Sequence, residues 1–292
     1  MKTLFFFFLT VCVVGTVQAQ VKGVKVEDER RRYLVYLPKA YHENPEQSFP
    51  LVFNFHGGGM TAAEQMFYTG MNNTADKYGF IVVYPTGINQ DWNVGFDMSY
   101  QHGHKDVEFV QAMLTSLKKE YSIDEKAIFA CGLSRGGFFT HRLASELPDT
   151  FAAIASISGP LPDSVQFFHK QANPISVMQV HGTEDRVVNF DGKPNAYASA
   201  QDTFHFWLKN NGLNPTGAIS QVFDKHQEDS TSLEWIQVKG KVVSVHLLSI
   251  TGGGHTWPGA DPFNIGFPLG KTSKELDMNE VLWDFFSKNK KP

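Results

Sequence analysis

Cysteine is nearly absent from this chain: 292 residues carry two, Cys12 and Cys131. Cys12 lies in an apolar run from Leu4 to Val14 that follows Lys2 and precedes Val17-Gln18-Ala19. That order fits a signal peptide over residues 1–19, with cleavage after Ala19. Cys131 would then stand alone, which excludes an intrachain disulfide, and it is expected to pack as a small apolar residue. Val11 occupies the position where a lipoprotein signal needs a small residue. Long apolar runs are otherwise missing, and eleven residues are too few to anchor a chain stably in a bilayer. An excess of one charge is missing too: 26 Lys and Arg against 30 Asp and Glu leave −4 with no basic block, which speaks against a nucleic-acid partner. Internal repeats and low-complexity linkers are also lacking. Residues 20–292 therefore read as one secreted or periplasmic domain, large enough for a full core.

What the chain does have is alternation. Strand patterns over Arg31 to Leu37, Leu51 to Phe55, Phe80 to Tyr84, Ala127 to Ala130, Phe151 to Ile157, Ile175 to Val180 and Val242 to Ile250 are interleaved with helical ones. Val107, Val110, Leu114 and Leu117 recur at helical spacing, as do Tyr197, Ala200, Phe204, Trp207 and Leu208 before Gly212. In the last helix Met278, Val281, Leu282, Phe285 and Phe286 share a face, and Asp277 with Glu280 resembles a capping box. The fold class is α/β, with a mostly parallel sheet of about eight strands and helices on both faces.

Gly132-Leu133-Ser134-Arg135-Gly136 fits GxSxG where a strand runs into a helix, the setting of a nucleophile elbow. Ser134 is the candidate nucleophile. Upstream, a strand ends in His56-Gly57-Gly58-Gly59, a glycine-rich loop that lets backbone N–H groups approach a developing oxyanion. The N–H groups of Gly58 and Arg135 are the candidate oxyanion donors, and His56 reads as a brace for its loop. Asp185, after the strand ending at Val180, is the candidate acid, preferred to its neighbour Glu184 and to Asp191. His255, in a glycine-rich loop after the strand ending at Ile250, is the candidate base. The chain order Ser, Asp, His is that of the α/β-hydrolases.

These stretches carry a resemblance. GLSRGGFFTHRLASELPDTFAAIASISG around Ser134, VHGTEDRVV around Asp185, GGGHTWPG around His255 and DMNEVLWDFF in the last helix resemble the esterase group of poly(3-hydroxybutyrate) depolymerases, feruloyl esterases and acetylxylan esterases (carbohydrate esterase family one), from about Arg31 onward. The resemblance implies a serine ester hydrolase with an α/β-hydrolase fold and neither metal nor organic cofactor. Arg135 departs from the asparagine or small residue of many relatives, and its guanidinium is expected to bias the site towards acidic or polar acyl groups.

About seventeen residues, Ser158 to Pro174, separate two sheet strands, so no large lid is expected. Trp92 and Trp257, with Phe96 and Tyr100, are the candidate aromatic lining of an acyl pocket suited to a phenolic acid. The expected partner is a small-molecule or oligosaccharide ester, feruloyl or acetyl. A poly(3-hydroxybutyrate) depolymerase is the alternative, made weaker by the lack of a following surface-binding module. Further rivals are a prolyl-oligopeptidase-type peptidase, for which an N-terminal propeller has no room, and a non-catalytic binding protein on the same scaffold.

Overall fold

The computed structural model describes residues 19–170, 173–261 and 268–292. The expected signal segment therefore lies, except for Ala19, outside the described residues. In chain order the elements are β1 (Gln20–Val26), β2 (Glu29–Tyr36), α1 (Lys39–Glu43), β3 (Phe49–Phe55), α2 (Ala62–Thr69), α3 (Met71–Tyr78), β4 (Ile81–Pro85), α4 (Asp106–Glu120), β5 (Ile123–Leu133), α5 (Arg135–Glu146), β6 (Ala153–Ile157), α6 (Asp163–Phe168), β7 (Ser176–Gly182), α7 (Ala200–Asn210), β8 (Ile219–Phe223), β9 (Ser232–Lys239), β10 (Ser244–Thr251) and α8 (Met278–Lys288).

Among the described residues one ten-stranded sheet runs in the order β1-β2-β4-β3-β5-β6-β7-β10-β9-β8. The strands from β4 to β10 in that order are parallel, and the pairs β1-β2 and β9-β8 flank them antiparallel. The expected mostly parallel sheet is present, with ten strands instead of about eight. The additional ones are β1 and β8, which form the two edges and are mostly exposed or half-buried, and β9, which is half-buried inside the β8 edge. Edge strands face water, so their residues lack the continuous apolar pattern of a buried parallel strand.

Period-two alternation sorts the central strands between two cores. Ile128 and Ala130 of β5 join the cluster packed under α4, α5 and α7, whereas Ala127, Phe129 and Cys131 join the one under α2, α3 and α8. Cys131 is a buried free thiol whose pKa is raised by burial. Both expected apolar stripes are helical over Ala200–Asn210 and Asp106–Glu120, although Tyr197 precedes its helix. The capping box expected at α8 is only half formed. Asp277 accepts from the N–H groups of Asn279 and Glu280, but the Glu280 carboxylate takes Lys77 and Tyr78 instead. No helix of the described residues is long and apolar enough to cross a membrane.

One buried ion pair ties β2 to the first residue of α4 and, through it, to the loop before that helix. Arg31 Nη2 lies 2.7 Å from Asp106 Oδ1, with side chains 4% and 0% exposed, and Asp106 Oδ2 accepts from the Asn93 N–H at 2.7 Å. Removing one partner of a buried pair strands the other charge, so Asp106→Ala should cost about 3–5 kcal/mol in urea unfolding, more than the paired replacement Arg31→Met with Asp106→Leu.

Two buried histidines are held neutral. His141 Nδ1 accepts from Trp207 Nε1 at 3.0 Å while its Nε2 meets Gln179 Oε1 at 3.1 Å, and His246 Nδ1 accepts from Trp235 Nε1 at 3.2 Å. Burial lowers His141 to about 4 and His246 to about 3 from 6.5. The unfolded chain therefore binds more protons between those values and 6.5, so their contribution is fully present above 6.5 and is lost as pH falls through that window. At ~1.4 kcal/mol per pH unit the loss is on the order of 3 kcal/mol per histidine by pH 4, read as a falling Tm between pH 6.5 and 4 and a shallower fall in His141→Gln.

Candidate active site

The turn from β5 to α5 is built by close backbone packing. A Cβ on Gly136 would lie 2.2 Å from the Phe55 carbonyl oxygen, and one on Gly132 would lie 2.5 Å from the Gly136 carbonyl carbon. Only glycine fits where the end of β3 passes beneath the turn. Between them Ser134 holds φ 55° and ψ −119°, a strained backbone for a non-glycine residue. Its N–H donates to the Ile157 carbonyl at 2.8 Å, which pins the turn to β6, and its side chain is half-buried.

Asp185 and His255 follow β7 and β10, at the same carboxyl edge of the parallel strands as Ser134. His255 Nδ1 donates to Asp185 Oδ2 at 2.7 Å, and Asp185 Oδ1 accepts from the N–H groups of Val187 and Val188 at 2.9 and 2.8 Å. The carboxylate fixes Nδ1 as the protonated ring nitrogen, leaving Nε2 with a lone pair when the ring is neutral. Burial pushes the Asp185 pKa up, but hydrogen bonds from His181 and then His255 outweigh it and hold the carboxyl well below its usual range. The second imidazole was not assigned to the site from sequence: His181 Nε2 donates to the Val188 carbonyl at 2.8 Å and lies 3.4 Å from Asp185 Oδ2. The histidine loop is tied down by the His255 N–H on the Leu269 carbonyl at 2.6 Å and by the Trp257 N–H on the Tyr68 hydroxyl at 2.9 Å.

The loop after β3 lies against the serine turn. A Cβ on Gly57 would come 3.6 Å from Ser134 Cβ, and one on Gly58 would come 2.9 Å from Arg135 Cγ. Arg135 is the first residue of α5, so its N–H has no intrahelical acceptor. His56 braces this loop as expected. Its Nδ1 donates to the Gly57 carbonyl at 2.8 Å, its Nε2 accepts from the Gly87 N–H at 2.9 Å, and burial lowers its pKa to about 4.

Three expectations about specificity change. The Arg135 guanidinium is already paired, with Nε and Nη2 on the two Asp91 oxygens at 2.6 and 2.7 Å and Nη2 also 3.2 Å from Asp97 Oδ2, so its charge is answered by carboxylates of the protein. That pairing answers the charge that would favour an acidic acyl group, while Nη1 has no hydrogen-bond partner among the described residues. Trp92 is fully buried, stacked on Phe139 at 5.3 Å, with Nε1 donating to the His56 carbonyl at 2.9 Å. It supports the loop from behind and has no face to offer an acyl group. Trp257 is 1% exposed and donates Nε1 to Asn279 Oδ1 at 3.2 Å, which makes it chiefly packing for the histidine loop, although it borders a surface cavity of ≈470 Å³ with Phe67, Tyr68 and Asn73. The ring beside the nucleophile turn is instead Phe96, half-buried, 4.5 Å from the Arg135 guanidinium carbon and edge-on to Phe138 at 5.1 Å.

Comparison with known proteins agrees with this architecture. The Esterase family model, described as "Putative esterase", matches residues 25–252. The bifunctional acetylxylan esterase/xylanase XynS20E of Neocallimastix patriciarum is 31% identical over 78% of this chain and 31% of its own, and feruloyl esterase B of Piromyces equi is 27% identical over 77% and 42%. The chain thus spans less than half the length of these two relatives. The solved acetyl xylan esterase from Aspergillus awamori superposes with a TM-score of 0.63 at 16% identity, covering 92% of this chain and 99% of the other, which shows a shared fold. With its family model spanning most of the sequence, the chain belongs to the Esterase family: it is a carboxylic ester hydrolase with an α/β-hydrolase fold.

Proposed function

We propose that Ser134, His255 and Asp185 carry ester hydrolysis through an acyl-enzyme. The observation that supports this most directly is the 2.7 Å bond from His255 to Asp185, made by loops at the same strand edge as the strained serine turn. In this reading His255 Nε2 takes the Ser134 proton as the oxygen attacks the ester carbonyl, and Asp185 stabilises the imidazolium. The N–H groups of Gly58 and Arg135 receive the oxyanion. The proton passes to the leaving alcohol, and water activated by His255 then releases the acid. The substrates proposed are feruloyl or acetyl esters of plant polysaccharide, or related soluble esters, since relatives over most of this chain carry acetylxylan and feruloyl esterase names. Residues 1–19 are proposed to direct secretion, which would place the enzyme where such polymers occur.

Purified protein should hydrolyse methyl ferulate, p-nitrophenyl acetate or acetylated xylan. Ser134→Ala should lose at least ~10³-fold of kcat and all labelling by a fluorophosphonate, and Asp185→Asn should lose on the order of 10⁴-fold by presenting the wrong imidazole tautomer. Full activity in Ser134→Ala would overturn the assignment.

Trp92→Ala is expected to cost about 3–5 kcal/mol of stability, as for other buried rings. The ratio of feruloyl to acetyl turnover, measured on the folded fraction, should stay within about twofold, because a side chain with no free face offers no contact to select an acyl group.

A further inference from the structure

We infer that Asp91 is a positioning residue for the oxyanion site, acting through Arg135; the inference rests on the reading of that site given above. The two candidate donors sit on different pieces of chain, Gly58 after β3 and Arg135 at the start of α5. Covalent structure does not fix their separation, yet an oxyanion hole works only when both N–H groups converge on one oxygen. The segment from Gly87 to Trp92 joins the two pieces. It holds the glycine loop by three bonds: Gly87 N–H to His56 Nε2 at 2.9 Å, Gly59 N–H to the Gln90 carbonyl at 2.9 Å, and Trp92 Nε1 to the His56 carbonyl at 2.9 Å. It holds the α5 side through Asp91, whose two oxygens take the Arg135 fork at 2.6 and 2.7 Å.

A bidentate carboxylate–guanidinium pair fixes orientation as well as distance. The Asp91 side chain is itself set, because Oδ1 also accepts from the Trp92 N–H at 2.8 Å. The Arg135 stem is pressed between this fork and Gly58, where any Cβ would stand 2.9 Å from Arg135 Cγ. The Phe96 ring covers the guanidinium at 4.5 Å. The side chain of the residue after the nucleophile thus serves as a strut between the Asp91 fork and the Gly58 backbone. The pairing of Nε and Nη2 immobilises the stem, and Asp91 is the group that does so.

The test compares Asp91→Asn and Arg135→Lys with the wild type in full-length protein, using p-nitrophenyl acetate and methyl ferulate with active serine counted by fluorophosphonate. Asp91→Asn places an amide where one fork oxygen stood, and Arg135→Lys keeps the charge and the peptide N–H but not the fork. Both should lower kcat about 10- to 100-fold with KM within about twofold, and the double variant should be no worse than the more impaired single one. Binding of a boronic acid, which mimics the tetrahedral state, should weaken by the same factor as kcat/KM, whereas a loss of fold alone would lower the active-serine count and leave kcat per site unchanged. A kcat within threefold of wild type in both variants, a change confined to KM, or additive losses in the double variant would overturn the inference. Absence of serine-dependent turnover in the wild type would instead overturn the reading of the site on which it rests.

Discussion

The end of β3 and the turn after β5 touch backbone to backbone, with the Phe55 carbonyl where a side chain on Gly136 would have to be. That approach seats the serine turn on the end of β3, from which the glycine loop continues. Because β6, β7 and β10 are stacked in parallel register beyond β5, the loops bearing Asp185 and His255 are delivered to the same edge. A parallel sheet brings the carboxyl ends of distant segments together, and here it brings the loops bearing Ser134 and His255, 121 positions apart in sequence, to one edge.

The loops at that edge are held by polar groups that water does not reach. His56 bridges the glycine loop to Gly87, His181 closes the turn after β7, and Asp106 joins Arg31 to the Asn93 backbone. Each of these groups has its hydrogen-bonding partners within the fold, so each loop has one favoured arrangement and an unsatisfied partner in any other. The cost at His56 is sensitivity to protonation, since burial lowers its pKa.

The parallel centre of the fold was legible because its strands are buried on both faces and read as apolar runs closed by glycine, and the Ser, Asp and His positions follow from their places after such runs. Of the flanking strands, β2 was legible as Arg31 to Leu37, but β1, β8 and β9 were not. Ile219–Phe223 is mostly exposed, with Val222 70% accessible, and its residues carry no burial pattern to read. Aromatic residues misled in the opposite way. Trp92 stands in a glycine-rich loop that looks solvent-facing in sequence, but its ring turns inward to serve the His56 carbonyl. The Arg135 pairing was hidden for a related reason: Asp91 lies 44 positions away, and no local pattern marks two charges that meet only after the sheet has formed.

Ser134 keeps a left-handed φ with a side chain attached, a conformation that only glycine holds without strain. The most stable version of this turn is therefore one that has lost its hydroxyl. At this one dihedral the fold and the candidate nucleophile are opposed, and the surrounding packing is what keeps the less comfortable residue in place. Selection for stability alone would drift towards glycine here, so a serine at this position is retained against the grain of the backbone.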